Sequence, residues 1–153
     1  MRGPEKVKVS VFVNIAAGKA NPDALKKQLR ESLHRCDLDF HLPATAEHLR
    51  QDVTRAIESK TEALIICGGD CTLNLCLQSM LLAHKAGKAL PPMLNLPVGT
   101  ANDLATEVGI KRMSHTAARA LFEGTVKLID VIEVQAEGKV KYMITNGGLG
   151  IPA

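Results

Sequence analysis

The stretch 64-LIICGGDCTLNLC-76 constrains this chain more than any other. An unbroken apolar run, residues 63–67, meets two glycines and an acid, and the residues after them become apolar at helical spacing. A short apolar run without alternation marks a strand buried on both faces of a sheet. Leu73, Cys76, Leu77, Met80 and Leu81 mark the helix that follows. A glycine pair where strand meets helix lets another group approach the main chain with no Cβ in the way. The first N–H groups of the helix and the positive end of its dipole lie there, which suits phosphate. The same residues also fit an ordinary tight turn with Asp70 as its cap. A carboxylate repels phosphate unless a cation, a proton or a hydroxyl intervenes, so Asp70 points to phosphoryl transfer rather than static binding.

Around this stretch, strands and helices alternate. Residues 7-VKVSVFVN-14 form a first strand. Asn21 and Pro22 are a helix start, and Leu25, Leu29 and Leu33 give residues 22–35 one buried stripe. Residues 37-DLDFHL-42 read as a second strand. Thr45 opens a helix facing inward with Leu49, Val53, Ala56 and Ile57. Residues 93–96 form a fourth strand, Thr100 caps a short helix with Asp103 at capping-box spacing, and a further helix follows Ser114. The alternation predicts an α/β, Rossmann-like three-layer domain with a mainly parallel sheet over residues 1–125. From Lys127 the pattern changes. Segments 128-LIDVIEVQ-135 and 139-KVKYMITN-146 flank Ala136-Glu137-Gly138 as an antiparallel hairpin, the incomplete start (126–153) of a β-rich second domain. A lone hairpin is marginal in water. Its expected fates are disorder, packing back on the first domain, or pairing with another copy across an exposed sheet edge.

With 46% apolar residues, the 153-residue chain can bury a real core. Its 19 basic residues are scattered among 16 acidic ones and aromatics are 3%, which argues against nucleic acid as a partner. Cys36, Cys67, Cys71 and Cys76 lack paired zinc-ligand spacing, and Cys67 and Cys76 read as buried thiols. No apolar run approaches membrane length and the N-terminus has no apolar h-region, so a reduced, cytoplasmic protein is expected. Gly18-Lys19-Ala20 lacks the hydroxyl and spacing of a P-loop.

Taken together, G-G-D-x-T-L-N at 68–74 and P-V-G-T-A-N-D-L-A at 97–105 resemble the diacylglycerol kinase catalytic domain. That family includes bacterial lipid kinases and the sphingosine and ceramide kinases, with NAD kinases as distant relatives. The resemblance covers nearly the whole chain, including Ile129-Asp130-Val131 and residues 142–150 at the start of the family's second domain. It implies transfer of the ATP γ-phosphoryl group to a lipid hydroxyl, with Mg2+, by a protein peripheral at the membrane. Thr45, Gly68, Gly69, Asp70, Cys71, Thr72, Leu73, Asn74, Gly99 and Thr100 would line the ATP site, with Asn14 beside it. Asn102 and Asp103 would hold the loops in register, Asp103 also capping its own helix. Asp70 would be catalytic, near the γ-phosphate and the acceptor hydroxyl. The lipid-facing surface and the remaining metal ligands would lie in the second domain. Cys71 stands where the family has glycine, and it is strained by roughly 1–2 kcal/mol if its φ is positive and tolerated if negative. Two alternatives remain open on sequence: an NAD-kinase-like small-molecule kinase and a non-catalytic nucleotide-binding module.

Overall fold

The computed structural model describes residues 6–15, 21–99, 102–110 and 114–144. Four strands, β1 (Val7–Val13), β2 (Cys36–His41), β3 (Ala63–Gly68) and β4 (Met93–Pro97), form one parallel sheet in the order β2-β1-β3-β4. Helices α1 (Pro22–Ser32), α2 (Ala46–Glu58), α3 (Asp70–Lys85), α4 (Asp103–Glu107) and α5 (Ser114–Glu123) connect or follow them. The expected α/β architecture is present.

Strand alternation sorts the core into two layers. Val9, Val11, Val13, Ala63, Ile65, Cys67 and Leu96 pack with Leu29 and Leu33 of the α1 segment and Ala117 of α5. Phe12, Leu64 and Ile66 point the other way, against Leu49, Val53, Ala56 and Ile57 of α2 and Leu73, Cys76 and Met80 of α3. Buried Ser10 is satisfied by Thr61, whose hydroxyl accepts its N–H at 3.1 Å. Asn95 breaks the pattern. It pairs in register with Ile66 on β3, is 4% exposed, and neither of its side-chain polar atoms has a partner.

Local chemistry sets the helix starts. The Asn21 side chain accepts the N–H groups of Asp23 and Ala24, and Pro22 occupies a first-turn position whose N–H is not needed. Thr45 Oγ1 accepts the N–H of His48 at 3.1 Å. One expected start is corrected. Helix α4 begins at Asp103 with Asn102 at the cap in the left-handed region (φ 57, ψ 47), so Asp103 is its first residue and not the third of a capping box begun by Thr100. Thr100 itself lies outside the described residues.

The last two strands, β5 (Ile132–Ala136) and β6 (Lys139–Met143), form the expected hairpin with shorter strands than the sequence suggested. Its turn holds Glu137 at φ 51 and Gly138 at φ 71, the pair of positive angles that a tight type I′ connection requires. Of the three expected fates, the hairpin takes the second and packs back on α3. Gln78 Nε2 donates to the carbonyl of Tyr142 and its Oε1 accepts the Tyr142 N–H at 3.0 Å. Asn74 Oδ1 accepts the N–H of Ile144 at 3.1 Å. Lys85 lies 5.0 Å from the centre of the Tyr142 ring and 3.5 Å from the Glu133 carboxylate. Hydrogen bonds from Gln135 and then Tyr142 hold the Glu133 carboxyl below its ordinary range.

Candidate functional site

The strand order reverses between β1 and β3: the chain steps from β1 outward to β2, then returns to place β3 and β4 on the other side. Loops leaving adjacent strands at such a point diverge and open a crevice at the carboxyl edge. Asn14 follows β1, Gly69 and Asp70 follow β3, and Val98 and Gly99 follow β4.

These loops are knitted to one another. Asn14 donates its N–H to the Cys67 carbonyl at 3.0 Å and its Nδ2 to Thr72 Oγ1 at 2.7 Å, tying the end of β1 to the first turn of α3. Thr72 is buried against Gly68, where an added Cβ would fall 2.6 Å from the Thr72 Cβ. A Cβ on Gly99 would fall 2.6 Å from the Gly69 Cα and 3.0 Å from its nitrogen. Asn102 folds its own loop: Oδ1 accepts the Gly99 N–H at 3.1 Å and Nδ2 donates to the Gly99 carbonyl at 2.7 Å. Asp103 then donates its N–H to Asp70 Oδ2 at 3.0 Å. The bare backbone at Gly68 and Gly99 therefore admits parts of the protein itself. Gly69 differs, since a Cβ there would meet Gly99 only at an ordinary 3.4 Å.

Asp70 is the first residue of α3, where a negative charge is favoured by the helix dipole. Gly69, at the cap, offers no side-chain acceptor to the first-turn N–H groups. Asp70 Oδ1 is buried with no hydrogen-bond partner. Cys71 is the second residue of the helix and not among the residues of positive φ, so the strained alternative falls away; its thiol is exposed. Leu73 and Asn74 turn away from the crevice. Leu73 is fully buried in the core, and the Asn74 side chain serves the hairpin. Thr45, exposed at the same sheet edge, commits its hydroxyl to α2. Thus Asn14, Gly68, Gly69, Asp70, Thr72, Gly99, Asn102 and Asp103 form one connected group, from which the side chains of Leu73, Asn74 and Thr45 stand apart.

Sequence reasoning passed over Gln78, because a glutamine in mid-helix matches no motif. Its only signal was the spacing of four from Asn74, which puts the two amides on one helix face. Among the described residues no three His, Cys, Asp or Glu side chains gather as a metal cage. No described helix is long and apolar enough to cross a membrane.

Comparison with known proteins identifies the family. A family model described as the diacylglycerol kinase catalytic domain matches residues 8–134. A Stenotrophomonas maltophilia protein named "Probable lipid kinase YegS-like" is 31% identical over 100 residues, covering 64% of this chain and 32% of its own length. The Escherichia fergusonii "Probable lipid kinase YegS" is 30% identical over 128 residues, covering 79% of this chain and 42% of its own. In fold, the chain is similar to the crystal structure of a diacylglycerol kinase from Bacillus anthracis, with a TM-score of 0.69 and 22% identity over 90% of this chain and 46% of that one. The chain spans less than half the length of these relatives. With the match running from the first strand into the hairpin, the chain belongs to the diacylglycerol kinase catalytic domain family.

Proposed function

We propose that this chain holds ATP for a lipid kinase that transfers the γ-phosphoryl group to a diacylglycerol-like hydroxyl. The observation that carries the reading is Asp70: one oxygen fixes a neighbouring loop while the other is buried without a partner, at the open cap of a long helix. The first-turn N–H groups of α3 would take phosphate oxygens. Asp70 Oδ1 is the oxygen free to hold a magnesium ion, which when bound would neutralise phosphate charge. Asn14, Thr72 and Asn102 fix the loops so that these groups need no rearrangement when the nucleotide arrives. Holding the lipid hydroxyl in line would fall to residues beyond the matched length, as the relatives are about twice as long as this chain.

The test is an ADP titration, with and without Mg2+, into isotope-labelled 1–153. Amide shifts centred on Asn14, residues 69–72 and Gly99 are expected; shifts that spare this group would overturn the reading. The complete protein should transfer labelled phosphate to diacylglycerol, and 1–153 alone should not. Rate falls steeply when one of two reactants is left unpositioned.

A further inference from the structure

We propose that Asn74 and Gln78 are positioning residues, which pair the free edge of β6 with α3 and direct β6 toward the helix start at Asp70. Both main-chain groups of Tyr142 go to the Gln78 amide and the N–H of Ile144 goes to Asn74. In an antiparallel strand the N–H and C=O of one residue point to the same side, so residue 142 turns its main chain away from β5. Gln78 supplies the donor and acceptor that a neighbouring strand would have supplied. Its orientation is set by a third bond, from Nε2 to the Asn74 carbonyl at 3.1 Å.

The spacings match. Four residues of helix rise about 6 Å and two residues of strand about 6.8 Å, so amides at 74 and 78 reach residues 144 and 142 in step. The order is opposed, the later helix residue meeting the earlier strand residue. β6 therefore runs antiparallel to α3, toward the helix start, and Asn74 is only about 6 Å along the axis from Asp70. One helix carries both the candidate phosphate end and the rungs that aim the hairpin. The exchange experiment below stands on the hydrogen bonds alone, whereas its kinetic counterpart rests on the kinase reading.

Amide hydrogen exchange on 1–153 provides the first test. Tyr142 and Ile144 should be protected although neither amide faces β5. Gln78→Leu should speed exchange at Tyr142 about tenfold, while Ile65 and Ile66 on β3 stay unchanged. Asn74→Leu should expose Ile144, and Asn74→Asp should keep it protected, because the Ile144 N–H needs only an acceptor oxygen. In the complete protein Gln78→Leu should lower kcat and leave the KM for ATP unaltered. Exchange at the unprotected rate at Tyr142 and Ile144 in the unaltered chain would overturn the proposal, as would a Gln78→Leu loss spread evenly into β3. A raised KM for ATP at constant kcat would overturn it too. Absence of phosphoryl transfer by the unaltered complete protein would instead reject the kinase reading and leave the exchange result to decide.

Discussion

The backbone N–H of Asp103 donates to Oδ2 of Asp70 at 3.0 Å, joining two loops 33 residues apart in the chain. The two oxygens of Asp70 thus have separate work, since Oδ1 has no partner. Asp70→Asn keeps an oxygen for Asp103 and removes the charge. It should retain the fold to within about 0.5 kcal/mol and abolish the magnesium dependence of ADP binding. Asp70→Ala removes the acceptor as well and should cost about 1–2 kcal/mol of stability. Urea unfolding and paired ADP titrations separate the two effects.

The loop glycines should differ in tolerance. Gly99→Ala drives a Cβ into the backbone of Gly69, and Gly68→Ala drives one into Thr72, so each should cost about 1–3 kcal/mol. Gly69 has extended backbone angles (φ −97, ψ −174) and an ordinary 3.4 Å contact, so Gly69→Ala should fall within about 0.5 kcal/mol of the unaltered chain. Equal losses at all three in urea unfolding would contradict this account of the loops.

Asn95 should be a stability reserve. Its amide lies in the core with neither polar atom bonded, a burial that costs about 1–3 kcal/mol. Asn95→Leu, which keeps the number and branching of the side-chain heavy atoms, should raise stability by about 1–2 kcal/mol on the same scale. Thermal and urea unfolding would both register the gain; a loss would mean that the amide has a bound partner such as an ordered water.

The four thiols should react unequally. Burial pushes Cys67 and Cys76 up to about 12 from an ordinary 9 and raises Cys36 as well, whereas Cys71 is exposed. A thiol reagent at mild pH should label Cys71 quickly and the others only on unfolding. Above about pH 9 the unfolded chain releases the Cys67 and Cys76 protons first. Stability should then fall as pH rises toward about 12, by up to about 1.4 kcal/mol per pH unit for each thiol. Cys67→Ala combined with Cys76→Ala should flatten that slope.

Local signals were legible where local chemistry decides. Asn21-Pro22 and Thr45 cap the helices they begin, and Leu49, Val53, Ala56 and Ile57 face the core. The parallel sheet followed from the alternation of strands and helices. Less was legible where geometry redistributes a contiguous motif. Residues 68–74 read as one motif lining a site, yet α3 begins at Asp70, and successive helix residues turn about 100° apart. Leu73 therefore enters the core while Asn74 faces the hairpin. The bare backbone at Gly68 and Gly99 was visible, but what fills it was not, because Thr72 and Gly69 arrive there only through the fold. The Asp70–Asp103 and Gln78–Tyr142 bonds join segments that no spacing rule connects.

The contact of Gly99 with the backbone of Gly69 carries a genetic consequence. Every coding change from a glycine codon to another amino acid adds at least a Cβ, whatever its chemistry. Conservative and radical substitutions at Gly99 therefore begin with the same collision, and the usual gradient of mutational severity is compressed into a step. Synonymous changes pass freely, and every missense change meets the neighbouring loop before the character of its side chain matters.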